Sequence, residues 1–216
     1  AITLTENGET KELTDAPIVN YYYSGFITLV KTDENGKPLA GVEFTVYNAS
    51  GDAVALMVTD ENGVATSKAL TIFDAEGTSY VVKETKALDA YLMNTTEYTV
   101  VLKNNGETVA VNGGKAIINV LKKGQITLTK EGEDGKPLAG VEFTIYSDKE
   151  CQNAVEVIVT DANGKAISSA LELGTYYVKE TKALDAYLID TTKYTVVLKN
   201  NGEIVAVNDG KAIINI

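Results

Sequence analysis

The segment "GKPLAGVEFTVY" at Gly36–Tyr47 returns as "GKPLAGVEFTIY" at Gly135–Tyr146. "VKETKALDAYL" at Val82–Leu92 returns at Val178–Leu188, and "YTVVLKNNGE" at Tyr98–Glu107 returns at Tyr194–Glu203. "GKAIIN" closes both copies, at Asn119 and Asn215. A chain of 216 residues that repeats at this spacing folds as two copies of one small domain. The expected boundaries are 25–121 for the first repeat and 122–216 for the second. Thr5–Asn20 resembles the tail Lys103–Asn119, so residues 1–24 are expected to be the C-terminal hairpin of a truncated preceding repeat. Asn20 would then lack a Lys and a Glu of its own and stay unbonded. The other phase, in which each unit begins with the tail hairpin, is also open. Val120–Gly124 is all that lies between the two repeats, which leaves a short linker.

Within each repeat the pattern is β. Val42, Phe44 and Val46 alternate with Glu43, Thr45 and Tyr47, the period of a strand with one buried face. "VTDENGVA" (Val58–Ala65) and "VTDANGKA" (Val159–Ala166) place Asp-x-Asn-Gly turns between apolar runs, which predicts hairpins there. No long helical pattern is present. The expected fold is all-β: tandem Ig-like β-sandwiches, each of several short strands.

Composition narrows the function. Net charge is −11 and every basic residue is lysine, a poor match for nucleic acid. Histidine is absent, which removes the commonest general base and metal ligand. Cys151 is the single cysteine, so an intrachain disulfide is ruled out. No stretch approaches the ~20 apolar residues of a membrane span, and no apolar leader opens the chain. The chain is expected to be either cytoplasmic or an excerpt of a longer secreted protein. A secreted sandwich without a disulfide lacks the usual covalent staple.

The alternation contains one anomaly per strand in three strands. Lys31 shares a face with Ile27 and Leu29, and Lys130 with Ile126 and Leu128. Glu84 follows Tyr80 and Val82; Glu180 follows Tyr176 and Val178. Asn119 aligns with Ile117, and Asn215 with Ile213. Each repeat therefore aims one Lys, one Glu and one Asn at its core. Isolated buried charges are very costly, so the three groups should meet. Two outcomes are open. One is a buried Lys–Glu ion pair with an Asn hydrogen bond. The other is chemistry. Burial lowers a lysine's pKa and raises a carboxyl's. A neutral amine can attack an amide whose carbonyl a protonated carboxyl polarises. Lys plus Asn then gives an isopeptide bond and ammonia.

The first-strand "ITLVK" and "ITLTK", "GKPLAGVEF", the "DENG" and "DANG" turns, "KETKA" and the terminal "IIN" resemble the collagen-adhesin B-type (Cna B) domains. They equally resemble the SpaA-type prealbumin-like domains of Gram-positive surface adhesins and pilins. The resemblance covers nearly the whole chain. It implies a prealbumin-like sandwich and an autocatalytic Lys–Asn isopeptide bond promoted by an acidic residue. By position, Lys31, Glu84 and Asn119 form one triad, and Lys130, Glu180 and Asn215 the other. The implied role is a stalk or shaft domain of a cell-wall-anchored surface protein, extracellular and monomeric, with neighbouring repeats of the same protein as its partners. A glycan- or host-matrix-binding module is the alternative. An enzyme that turns over is not expected, because the triad consumes its own side chains. No cofactor or metal is expected either. Where relatives carry "APEGY" this chain has "ALDAY" (Ala87–Tyr91), a change in a loop. Sorting and pilin motifs of the "LPxTG" and "YPKN" types are absent from this sequence, so the anchor is expected outside it, and polymerisation cannot be claimed from it.

Weaker signals have plain explanations. Asp60–Gly63 and Asp161–Gly164 share residue types with calcium loops but lack the closing bidentate Glu, so ordinary turns are expected. Tyr21, Tyr22 and Tyr23 suit either a packing cluster or a glycan-stacking platform. Cys151 sits in the polar stretch "SDKECQNA", an exposed thiol without a histidine to activate it.

Overall fold

A computed structural model describes residues 21–216. The hairpin expected through Thr5–Asn20, and Asn20 itself, lie outside the described residues. The first repeat contains β1 (Tyr23–Asp33), β2 (Glu43–Tyr47), β3 (Ala53–Val58), β4 (Val64–Thr66), β5 (Leu70–Ile72), β6 (Thr78–Lys86), β7 (Glu97–Leu102), β8 (Thr108–Ala110) and β9 (Ile117–Asn119). The second contains β10 (Lys123–Gly132), β11 (Glu142–Tyr146), β12 (Ala154–Val159), β13 (Lys165–Ile167), β14 (Leu171–Glu172), β15 (Gly174–Lys182), β16 (Lys193–Leu198), β17 (Ile204–Ala206) and β18 (Ile213–Asn215). Two short 3-10 turns, Val111–Gly114 and Val207–Gly210, are the helical elements among the described residues. The fold is all-β: four sheets in two tandem sandwiches.

Each sandwich packs a four-stranded sheet on a five-stranded one. In the second repeat the four-stranded sheet has the order β12-β11-β15-β16. The other sheet is organised around β10, which pairs antiparallel with β13 and β14 and parallel with β17 and β18. The first repeat has the same arrangement, with β3-β2-β6-β7 as one sheet and β4, β5, β8 and β9 around β1 as the other. Inward residues of both sheets make the core. In the second repeat these include Ile126, Leu128, Phe143, Ile145, Val178, Leu198 and Ile213, all nearly inaccessible.

The chain divides into two compact units. Of the described residues, one gathers 21–31, Pro38–Lys86 and Thr95–Ile117; the other gathers Thr32–Lys37, Ala87–Asn94 and Ile118–Ile216.

The Asp-x-Asn-Gly turns form, but not as the hairpins expected. β3 and β4 belong to different sheets, as do β12 and β13. The turns carry the chain across the sandwich. Their geometry gives the reason. The Asp161 carboxylate accepts from the Asn163 and Lys165 N–H groups at 2.8 and 2.9 Å, which closes the turn locally and leaves the following strand free to choose another partner. Asp60 does the same with Asn62 and Val64. One oxygen of each carboxylate, Oδ1, takes both of these backbone bonds. Cys151 is half-buried, in a turn at φ 55°. Tyr21, Tyr22 and Tyr23 are exposed, and Tyr22 meets Phe73 edge-on at 5.6 Å between ring centroids.

Candidate functional site

β10 positions the lysine of the second repeat. Its residues alternate between buried and half-buried along its whole length, so Lys130 falls on the core side with Ile126 and Leu128 and is 0% exposed. Two backbone bonds fix it. The Lys130 N–H donates to Gly164 O at 2.7 Å, and its carbonyl accepts from the Leu138 N–H at 3.0 Å. Gly164, at φ +70°, supplies the first contact because nothing larger fits: a Cβ there would lie 2.3 Å from Lys130 O. The first repeat repeats this device, with the Lys31 N–H on Gly63 O at 2.7 Å and the Leu39 N–H on Lys31 O at 3.1 Å.

β15 brings the glutamate. Glu180 pairs with Phe143, beside a register shift between Glu142 and Phe143, and is 3% exposed. β18 brings the asparagine. It runs parallel to β10 with Lys130 opposite Ile213 and Gly132 opposite Asn215, and Asn215 is 1% exposed. First and last strands of the repeat are therefore neighbours in one sheet, although their residues lie 85 positions apart.

The three side chains meet. Lys130 Nζ donates to Asn215 Oδ1 at 2.5 Å and to Ile213 O at 3.2 Å. Asn215 Nδ2 donates to Glu180 Oε1 at 2.6 Å. Glu180 Oε2 stands 3.4 Å from Lys130 Nζ and accepts no hydrogen bond among the described residues. Burial pushes the Lys130 amine below its ordinary range, against the opposing pull of Glu180 and, more weakly, Asp190. The carboxyl therefore faces the amine through one oxygen and the amide nitrogen through the other.

In the first repeat Lys31 is also 0% exposed. Its Nζ donates to Ile117 O at 2.9 Å and stands 3.9 Å from Glu84 Oε2. Burial brings its pKa down to about 8, with Glu84 pulling the other way. Glu84 is 5% exposed and pairs with Phe44 as Glu180 pairs with Phe143. Asn119, at the end of β9, is 1% exposed.

One residue near the second site escaped the sequence reading. Asp190 accepts from Tyr194 Oη at 2.7 Å and from the Thr192 N–H at 2.9 Å. Burial would push its carboxyl up, but these bonds and the Lys130 charge hold it below its usual range. Tyr194 is pushed up to about 12 by burial and by Asp190. The corresponding position in the first repeat is Asn94, which donates to Ile118 O at 3.2 Å. The available signal was an Asn-to-Asp difference between otherwise matching loops.

Two five-plus-four-stranded sandwiches, each with a lysine and a glutamate buried in its core and an asparagine on its last strand, define the class: tandem prealbumin-like domains. Residues 25–116 and 124–211 both match SpaA, the prealbumin-like fold domain. The chain belongs to that family. It is 34% identical over 121 residues to a collagen adhesin of Staphylococcus aureus, a match covering 51% of this chain and 10% of that protein. The Bacillus anthracis TIE protein superposes with a TM-score of 0.73 at 30% identity, covering 89% of this chain and 34% of that one. A C-terminal fragment of the pilus adhesin SpaC from Lactobacillus rhamnosus GG shares the fold, with a TM-score of 0.55 at 16% identity over 90% of this chain and 97% of that one. The chain thus spans a tenth of the adhesin and about a third of the TIE protein chain. Among the described residues, no helix is long and apolar enough to cross a membrane.

Proposed function

We propose that the two repeats, 25–121 and 122–216, are load-bearing shaft domains of an extracellular, cell-wall-anchored adhesin or pilin, each closed by a Lys–Asn isopeptide bond. The observation that carries this is the buried mutual contact of Lys130, Asn215 and Glu180. The bonds pair Lys130 with Asn215 and, at the equivalent positions, Lys31 with Asn119. Nζ of Lys130 bonds to Cγ of Asn215 as the Cγ–Nδ2 bond breaks. A proton leaves Nζ, one ends on Nδ2, and ammonia departs. Glu180 faces both the proton's source and the leaving nitrogen, so its role is proton transfer between them. This differs in emphasis from polarising the carbonyl, because the carboxyl meets the amide through its nitrogen. Glu84 is assigned the same role. The chemistry runs once and regenerates nothing.

The mechanical consequence follows from topology. Force on a shaft domain enters one terminal strand and leaves by the other. A bond joining β10 to β18 passes that force directly between them. Without it, ladder hydrogen bonds of about 1 kcal/mol net each carry the load. Neighbouring repeats of the same surface protein are the partners this role requires, and the near-identity of the two copies suits length more than selectivity.

Glu180→Ala tests the role of the carboxyl. The variant should fold and lose one ammonia instead of two, with Lys130 and Asn215 unlinked in intact-mass and peptide measurements. Loss of both ammonia molecules would remove Glu180 from the mechanism.

A pH signature should appear when the first bond is blocked. In Asn119→Ala, Lys31 keeps its amine and titrates near pH 8 when folded, against 10.5 for an ordinary lysine. Between those values the unfolded chain binds more protons, so stability rises with pH across this window, by up to about 3 kcal/mol. Below pH 8 the destabilisation is fully present. Denaturant melts of Asn119→Ala against Asn119→Ala/Lys31→Met isolate the effect. In the native chain a bonded Lys31 has no amine to titrate, and its contribution should be flat.

A further inference from the structure

The two repeats differ at one opening between their sheets. In the second, Glu156 on β12 reaches across to the segment joining β13 and β14. Its carboxylate accepts from the Ser169 N–H at 3.0 and 3.1 Å and from Ser169 Oγ at 2.8 Å. The equivalent residues in the first repeat follow from register. Ala55 pairs with Val46 as Glu156 pairs with Ile145. Ser67 Oγ donates to Lys68 O at 2.8 Å as Ser168 Oγ donates to Ser169 O at 2.7 Å. The first repeat therefore has Ala55 where the second has the carboxylate, and Lys68 where the second has Ser169.

The result is an open cleft. It is lined by Val54, Ala55, Leu56 and Lys68, and continues past Thr71 to Phe73. The Lys68 N–H, whose counterpart in Ser169 is satisfied by Glu156, makes no hydrogen bond to any described residue. The exchange removes an acid and adds a base, in a chain whose net charge is −11. β3, which forms one wall, is the open edge of its sheet. Of its outward side chains Leu56, 60% exposed, borders the cleft, and β12 of the second repeat is an equally exposed edge, so the two copies differ here in the Ala55 and Lys68 positions. An open edge with alternating apolar side chains recognises an extended peptide through main-chain bonds.

We propose that the cleft between β3 and Lys68 binds an extended acidic peptide whose carboxylate takes the place Glu156 fills in the second repeat. The Lys68 N–H and ammonium both donate to that carboxylate, a charge-assisted contact. In the second repeat Glu156 already fills the carboxylate's place beside Ser169, so the peptide's acid is expected to find no donor there. The two copies thus share a scaffold, and one has a recognition slot.

The test is titration of the isotope-labelled full chain with an acetylated, amidated Thr-Val-Glu-Val-Thr peptide, following amide resonances. Shifts are expected at Lys68 and Ala69 and not at Ser169. The Gln counterpart of the peptide should bind at least about tenfold more weakly. Ala55→Glu should abolish binding by supplying the internal carboxylate, and the second repeat shows that the fold accommodates Glu at this position. Lys68→Ser, a solvent-exposed change, should weaken binding by a similar factor and stands independently should Ala55→Glu fail to fold. Sialyllactose, an anionic glycan, should leave the resonances unmoved. No shift at Lys68 with millimolar peptide, equal binding of the Gln peptide, or undiminished binding by Ala55→Glu or Lys68→Ser would overturn the proposal. A response to sialyllactose alone would reassign the slot to glycan and equally overturn it.

Discussion

Asn215→Ala should lower the melting temperature of the second repeat by about 20 °C while leaving the first repeat's transition in place. Two terms combine. The isopeptide bond would close a loop of 85 residues, and the loop-entropy relation used for disulfides gives about 4–5 kcal/mol for closing it. The variant also keeps Lys130 fully buried, deprived of the Asn215 Oδ1 contact, with Glu180 and, more weakly, Asp190 as its remaining charge partners. For a domain of this size each kcal/mol corresponds to about 4–8 °C, so even part of the expected loss is readily seen by calorimetry. A thermogram matching that of the native chain would mean that the bond contributes no stability.

Gly164→Ala should be nearly as damaging, although Gly164 takes no part in the chemistry. Its added methyl would lie 2.3 Å from Lys130 O, with Pro137 atoms at 3.1 and 3.2 Å. The obstacle is backbone, which cannot rotate aside. The φ of +70° adds strain for any residue with a Cβ. Relief requires β10 and the turn to separate, which breaks the Lys130 N–H bond to Gly164 O and displaces the nucleophile. A cost of about 2–4 kcal/mol is expected, together with slower or incomplete loss of ammonia from the second repeat. Gly135 is also in the left-handed region, but a Cβ added there would meet no atom within 4 Å. It is the control: Gly135→Ala should carry the φ penalty alone and leave bond formation intact. Equal effects at the two glycines would show that the contact with Lys130 is unimportant.

Alternation made the site legible. The period of two placed Lys130 with Ile126 and Leu128, and Glu180 with Tyr176 and Val178, and these faces are buried in the structure. The rule is local and requires no knowledge of which strands pair. Pairing is a long-range choice, and it is where sequence reasoning lost its grip. The Asp-x-Asn-Gly turns signalled a change of direction correctly, yet β13 docks on β10 and not on β12, because the Gly164 carbonyl is taken by Lys130. The expected meeting of Lys130 and Asn215 brought β10 and β18 together, but their parallel pairing within one sheet was not legible, since no turn connects them. Asp190 and the Glu156–Ser169 contact were hidden for a different reason. Both lie where the repeats differ, and self-similarity draws attention to what the copies share.

Intact mass of the purified native chain tests the central claim most directly, with peptide sequencing to locate the linkage. The expected mass falls short of the sequence by two ammonia molecules and is unchanged by reducing agent, with Lys31 joined to Asn119 and Lys130 to Asn215. A mass equal to that of the unmodified sequence would reduce both sites to buried ion pairs and contradict the covalent shaft.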